Sequence, residues 1–268
     1  MTRTAPLPGE RLSAAKMPGH WLLARLGKRV LRPGGLETTH ALLKALSIGN
    51  EDDVVEFAPG LGGTAQLILG MRPKSYTGLE RDHNAASFSR QQLREFPDID
   101  IRVGAADASG LPNGAASVVI GEAMLSMNTV AQKAKIAAEA FRLLRPGGRY
   151  GIHELKIAPN SIERCRHAEI ERALSSEIHV GPKPLTSSGW QSLLTNAGFE
   201  VDDEGSAPMH LLRPDRMIAD EGILGTLNIA KNVALNPGAR RRVFAMRKVF
   251  ERYQDNLGAI YLIGRKPG

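Results

Sequence analysis

Residues 54–70 read VVEFAPGLGGTAQLILG. A short apolar run meets an acidic residue, Glu56, then a glycine-rich turn, then a stretch of helical composition. That order describes a strand, a tight loop and a helix start. Glycine permits the sharp turn and lets a ligand come close to bare backbone. The helix start supplies N–H groups without intrahelical partners and the positive end of the helix dipole.

Outward from this loop the chain alternates. DVVEFA predicts a strand and GTAQLILG a helix. KSYTGLE predicts a strand and DHNAASFSRQQLREF a helix. DIDIRVGAA and ASVVIGE predict two further strands. TVAQKAKIAAEAFRLL predicts a helix with Val130, Ala134, Ala137, Phe141 and Leu144 on one face, and RYGIHEL the next strand. Such alternation implies right-handed βαβ units and a parallel sheet covered on both faces. Upstream, WLLARLGKRVL reads as a short helix, and LETTHALLKALSI places Leu36, His40, Leu43 and Leu46 at helical spacing. RPGG occurs at 32–35 and 145–148 in unlike surroundings, as two turns. Downstream, NSIERCRHAEIERALSSEI and TSSGWQSLLTNAGF predict helices, the second closed by Gly198, and FEVDDEG starts a strand. Residues 214–256 read as helical with Pro237 at a helix start, and LGAIYLIGRK closes the chain as a strand. One reversed strand at the sheet's end accommodates this order.

The chain has 268 residues, a net charge of +7 and a pI of about 9.7. A chain this long buries roughly three quarters of its unfolded surface and needs no covalent staples. Its single cysteine, Cys165, excludes an intramolecular disulfide and a cysteine-built zinc cluster. No stretch reaches the ~18 apolar residues of a membrane span, and the N-terminus lacks the apolar core of a signal peptide. The expectation is a cytoplasmic protein without a membrane span. Its positive charge is scattered, with one dense run around Arg240, Arg241, Arg242, Arg247, Lys248 and Arg252, expected on one solvated helix face. Charge alone names no function.

The loop GLGGTA at 60–65 fits G-x-G-x-x-A, and two ligands compete for it: a dinucleotide and S-adenosylmethionine. Glu56, just before the loop, suits an ammonium group and repels a pyrophosphate. Glu80 ends the next strand and can accept the hydrogens of a ribose diol, which both ligands carry. Asp107, in GAADASGLP after the third strand, can accept the hydrogens of an adenine amino group. AFRLLRPGGRYGIHEL joins a helix to a strand through a Pro-Gly-Gly turn.

Taken in order, these pieces resemble class I S-adenosylmethionine-dependent methyltransferases of the small-molecule branch, with the menaquinone- and ubiquinone-biosynthesis enzymes as relatives of similar layout. The likeness covers residues 50–155 well, and 186–205 and 257–266 more loosely. Glu56 stands at the family's first-motif acid, Gly60 and Gly62 at its later glycines, Glu80 at its ribose acid, and Ala106 and Asp107 at its adenine-side pair. Ala58 departs from the pattern, standing where the family usually has its first glycine. The resemblance implies a Rossmann-like α/β fold, a seven-stranded mostly parallel sheet of order 3-2-1-4-5-7-6 with the seventh strand antiparallel. The expected organisation is one methyltransferase domain over 1–268: an arm and cap helices at 1–48, a cofactor core at 50–155, and, from their position after the strands, lid insertions at 156–185 and 214–256. The expected cofactor contacts are Glu56, Ala58, Pro59, Gly60, Gly62, Glu80, Arg81, Ala106, Asp107, Ala108, Glu122 and Ala123.

Methyl transfer is an in-line attack on a sulfonium methyl. The leaving group is a neutral sulfide and needs no acid, so positioning carries most of the catalysis. A base is needed only where the nucleophile must lose a proton. Glu122 and His153, at the ends of the fourth and fifth strands, are the catalytic candidates. Met124, Met127 and His153 are the candidates for binding a small, partly apolar substrate. His20, His40, His179 and His210 are isolated histidines. GEAM replaces the NPPY-type loop of amine-directed nucleic-acid enzymes, Cys165 lies away from any strand end, and no Asp pair follows the fourth strand. The expectation is no metal. An RNA or tRNA methyltransferase using the basic helix 237–254, and a non-catalytic cofactor binder, are the alternatives; a homodimer is compatible with the sequence.

Overall fold

The computed structural model describes residues 6–10, 12–97 and 99–268. The first helices are α1 (Gly19–Arg25) and α2 (Gly35–Leu46). The alternating half then runs β1 (Asp53–Phe57), α3 (Gly63–Gly70), β2 (Ser75–Glu80), α4 (His83–Gln92), β3 (Ile99–Val103), β4 (Ala116–Glu122), α5 (Val130–Leu143) and β5 (Leu144–Ile157). The remainder is α6 (Arg164–Ile178), β6 (Leu185–Thr186), α7 (Ser187–Asn196), β7 (Glu200–Pro208), α8 (Pro214–Leu235), α9 (Pro237–Arg252) and β8 (Leu257–Arg265).

The described strands form one sheet of order β3-β2-β1-β4-β5-β8-β7, with β6 pairing β5 off that path. Pairing is parallel from β3 through β5, and β8 runs antiparallel to both β5 and β7. This is the anticipated order; the two-residue β6 simply renumbers the last two strands. Of the N-terminal arm, residues 1–5 and 11 lie outside the described residues, as does residue 98 in the second crossover.

Both sheet faces are buried, so the central strands are apolar on both sides. On one face Val55, Phe57, Val119, Tyr150, Ile152, Ile260 and Leu262 pack against Ile136, Ala140 and Leu143 of α5 and Trp190 and Leu194 of α7. On the other, Val54, Val118, Ile120 and Ile263 meet Leu42, Leu43 and Leu46 of α2, Ala65 and Ile68 of α3, and Ala86 of α4. Gly151 makes the second contact close: a Cβ there would lie 2.8 Å from Leu46 Cδ1. A third cluster lies past the strand ends, where Met17, Leu22, Leu23 and Leu26 pack on Leu174, Met209, Leu211, Met246 and Tyr253.

Three local readings change. In α5 the buried face is Lys133, Ile136, Ala137, Ala140 and Leu143, while Val130 is exposed. Lys133 sits inside because its ammonium reaches two carbonyls, Asn128 O at 2.8 Å and Lys183 O at 2.6 Å. In α2 His40 is exposed, and Thr38 and Thr39 share the inner face with Leu42, Leu43 and Leu46. The second RPGG lies within β5, where the register against β4 shifts between Ala116 and Val118. It is an irregularity inside β5, where Leu144 to Arg149 faces only Ala116 to Val118, rather than a turn between elements.

The segment between α1 and α2 is seated by α8. Glu221 accepts the backbone N–H groups of Arg29 and Val30, both at 2.9 Å, and pairs with the buried Lys28 ammonium at 3.3 Å. Asp220 accepts Leu36 N at 3.0 Å. Gly222, at φ +71° and ψ 171°, breaks α8 immediately after these carboxylates. Charge-assisted contacts of this kind fix the segment's position.

Candidate functional site

The carboxyl ends of β1, β2 and β4 converge on one cavity of about 570 Å³, at the edge where ligands bind in open α/β sheets. Glu56, Ala58, Pro59, Gly60, Glu80, Arg81, Ala106, Asp107, Glu122, Ala123, Met124 and Met127 line it. Three expected site residues, Gly62, Ala108 and His153, are not among its lining residues. Gly62 instead caps α3 at φ +79°, shaping the loop from behind.

The loop is held by its own acids. Glu80 accepts Gly60 N at 3.1 Å and Asp82 N at 3.0 Å. Burial raises its carboxyl above the ordinary range, and those two N–H groups offset only part of the shift. Glu56 is fully enclosed and accepts the Tyr76 hydroxyl at 2.6 Å. Burial pushes it up to about 8, beyond what the Tyr76 bond offsets. Ala58, the departure from the family pattern, adopts φ +54°, the left-handed region that glycine fills without a Cβ penalty. Ala123, next to Glu122, adopts φ +52°.

Glu122 is the hub of a second network. Its Oε1 accepts Thr39 Oγ1 at 2.8 Å and lies 2.7 Å from His153 Nδ1. Its Oε2 accepts the Thr64 hydroxyl and lies 3.5 Å from Arg32 Nη1. Burial alone would raise this carboxyl; the Arg32 charge and the His153 and Thr64 bonds outweigh it and hold it down at about 2. His153 is fully buried, with Nε2 2.6 Å from Pro33 O. A carbonyl only accepts, so Nε2 faces Pro33 O as the donor, while Nδ1 faces the Glu122 carboxylate. Neither ring nitrogen is open to a substrate. Glu154, which the strand alternation sends away from the cavity, accepts the N–H groups of Met124, Leu125 and Ser126 and fixes the loop after β4.

Sequence reasoning missed the groups contributed by residues 19–33. His20, Trp21, Arg29 and Arg32 all line the cavity. Arg32 Nε is buried without a hydrogen-bond partner. His20 lies 4.6 Å from the Trp21 ring, centroid to centroid, and burial lowers it to about 4. The signal for Arg32 was its RPGG turn, which reads only as a turn without the far-off Glu221 and Asp220 that seat it. Leu174, Ile178, Met209, Leu211, Met246 and Phe250 complete an apolar wall opposite the carboxylates. The basic helix is also not one solvated face: Arg242 turns inward to Ala14 O at 2.7 Å and Glu177 O at 3.0 Å.

The donor set fits S-adenosylmethionine. Glu122, held ionised beside the glycine loop, disfavours a diphosphate, whereas an ammonium and a ribose diol suit the three buried carboxyl groups. The orphaned Arg32 Nε is a ready donor for the carboxylate of an amino-acid tail.

A family described as a methyltransferase domain matches residues 55–152. An uncharacterized protein of Haemophilus influenzae is 35% identical over 255 residues, 92% of this chain and 98% of that protein. The O-methyltransferase cnsE of Penicillium expansum is 28% identical over 162 residues, 59% of this chain and 55% of its own length. Phosphoethanolamine N-methyltransferase 2 of Haemonchus contortus, in complex with S-adenosyl-L-methionine, has a TM-score of 0.67 at 15% identity, over 93% of this chain and 57% of that one, a likeness of fold. With that domain match across the strand ends that carry the acids, and a relative alike along nearly its whole length, the chain belongs to the class I S-adenosylmethionine-dependent methyltransferase family, and S-adenosyl-L-methionine is its cofactor.

Proposed function

We propose that the enzyme methylates a small molecule with an apolar body. The carrying observation is the two-sided cavity: carboxylates and loop backbone on one side, and on the other Trp21, Leu23, Leu174, Ile178, Met246 and Phe250. Its volume of about 570 Å³ lies in the range of small-molecule sites, roughly 300–1,000 Å³.

In this reading Glu56 and Arg32 hold the amino-acid end of the cofactor, Glu80 its ribose and Asp107 its adenine. When bound, the cofactor supplies an electrophilic methyl group on a sulfonium. The apolar wall, with Met124 and Met127, excludes water and sets the acceptor's approach. His20, neutral at pH 7 because burial lowers it to about 4, accepts a hydrogen bond from the acceptor's O–H or N–H and orients it. Glu122 and His153 act as positioning residues that fix Arg32, Thr64 and the strand ends. The α1 segment, α6 and α9 form the cover.

The test is incubation with a donor carrying an isotope-labelled methyl group and fractionated cell extract, followed by mass spectrometry. Label in a low-mass apolar product supports the reading. Label confined to RNA, or no label in any fraction, sinks it. With the product known, His20→Gln should lower kcat about tenfold or more while leaving cofactor affinity unchanged.

A further inference from the structure

Residues 222–250 contain six cationic side chains and no acidic one. They span the second part of α8 and nearly all of α9, two helices joined at Asn236. At 100° per residue, Ile223, Leu224, Leu227, Lys231 and Leu235 fall on one face of α8. Leu224 is 83% exposed and Leu235 73%, with Ile223 and Leu227 above half. On α9 the same geometry puts Arg240, Arg241, Phe244 and Lys248 on one face. Phe244 is 57% exposed. Lys231, Arg240, Arg241 and Lys248 are exposed and have no carboxylate partner among the described residues.

Bare aliphatic side chains interleaved with unpaired cations need a partner that is apolar at depth and negative at its surface. We propose that this helix pair docks the enzyme on an anionic lipid bilayer, with the leucines and Phe244 entering the headgroup–acyl boundary and the cations pairing lipid phosphates. Charge complementarity selects this occupant. A second copy meeting the same face across a two-fold axis would oppose cation with cation. A nucleic acid would satisfy the cations and leave Leu224, Leu227 and Leu235 without a hydrophobic partner. The opposite side of α9 carries Met246 and Phe250 into the cavity wall. The docked element therefore lies between the bilayer and the apolar half of the site. Docking is measured without turnover, so it stands or falls separately from the choice of methyl acceptor.

The experiment is co-flotation of the full chain with vesicles of phosphatidylcholine containing 30% phosphatidylglycerol, against vesicles of phosphatidylcholine alone. The expected result is binding to the anionic vesicles that falls about tenfold or more on neutral ones. It should fall equally in Leu224→Asn/Leu227→Asn and, by an independent route, in Arg240→Glu/Arg241→Glu. Circular-dichroism melts and S-adenosylhomocysteine affinity confirm that each variant is folded. Absence of binding to anionic vesicles, equal binding to both kinds, or binding that both double variants retain overturns the proposal. So does a dimer in sedimentation velocity that the leucine variant abolishes, or capture of an RNA oligonucleotide in place of vesicles.

Discussion

His153 Nδ1 lies 2.7 Å from Glu122 Oε1, across directly paired positions of the parallel strands β4 and β5. The register that aligns the two strand ends also brings an imidazole behind a carboxylate, and Pro33 O closes the far side of the ring at 2.6 Å. The pair is a strut for the cofactor edge, built at the sheet's centre.

His153→Ala therefore acts on stability. It strips a partner from Glu122 and from the buried Pro33 carbonyl, and each such loss costs about 1–3 kcal/mol. A loss of about 2–4 kcal/mol in chemical denaturation is expected, with the shape of the pH profile of kcat/KM retained. A profile that loses a limb would restore His153 as the base.

Glu80→Ala should weaken S-adenosylhomocysteine binding at least tenfold, about 1.4 kcal/mol, by isothermal titration. Two losses add: the proposed ribose contact and the acceptor that fixes Gly60 N and Asp82 N. Unchanged affinity removes Glu80 from the site.

The Glu56 environment makes cofactor binding pH-dependent. With its carboxyl raised from 4.5 to about 8, Glu56 holds a proton at pH 7. An ammonium beside it favours the ionised form, so binding expels that proton. Affinity should rise between pH 6 and 7.5 by up to about tenfold per unit, and Glu56→Gln should flatten the rise. The unliganded fold carries the opposite sign. Its Glu56 contribution is full below pH 4.5 and declines as pH climbs toward 8, because the folded state alone retains the proton. Glu122, held at about 2, contributes in a separate window, above pH 4.5, and loses its contribution as pH falls toward 2. Titration calorimetry in buffers of differing ionisation enthalpy counts the released proton; no release would refute the Glu56 assignment.

Ala58→Gly should invert the usual sign. An ordinary Ala→Gly change costs about 0.5–1 kcal/mol. At φ +54° the alanine Cβ is already penalised by about 1–2 kcal/mol. The expected net is zero to a gain of about 1.5 kcal/mol in urea denaturation, with cofactor affinity kept within about threefold. A loss above about 1 kcal/mol would show that the loop does not adopt this conformation in solution.

The candidate cofactor edge was legible because its acids sit toward the carboxyl ends of β2, β1 and β4, which the parallel sheet order places side by side. Glu56, Glu80 and Glu122 then meet at one sheet edge by topology alone. Ala58 signalled a departure from a glycine pattern, and its positive φ is the physical counterpart. Arg32 was not legible because Glu221 and Asp220, on a helix near the other end of the chain, decide where its segment lies, and His20 was not because α1 is placed by α6 and α9. The α5 face was misread because periodicity gives Lys133 the same outward preference as any lysine, and only the carbonyls of Asn128 and Lys183 make its burial affordable. His153 stood at the right strand end, but the carbonyl behind it comes from that same distant-seated segment.

The cavity's apolar wall draws on α1, which is translated early, and on α9, which is translated almost last. A nascent chain that has cleared the ribosome through β5 carries Glu56, Glu80 and Glu122, but neither the α8 carboxylates that seat the segment bearing Arg32 nor β8, which lies between β5 and β7. It has no enclosure for an acceptor until α8 and α9 emerge and pin the α1–α2 connection. In the proposed reading, both the donor's amino-acid end at Arg32 and the acceptor's apolar wall thus wait for the last fifth of the chain.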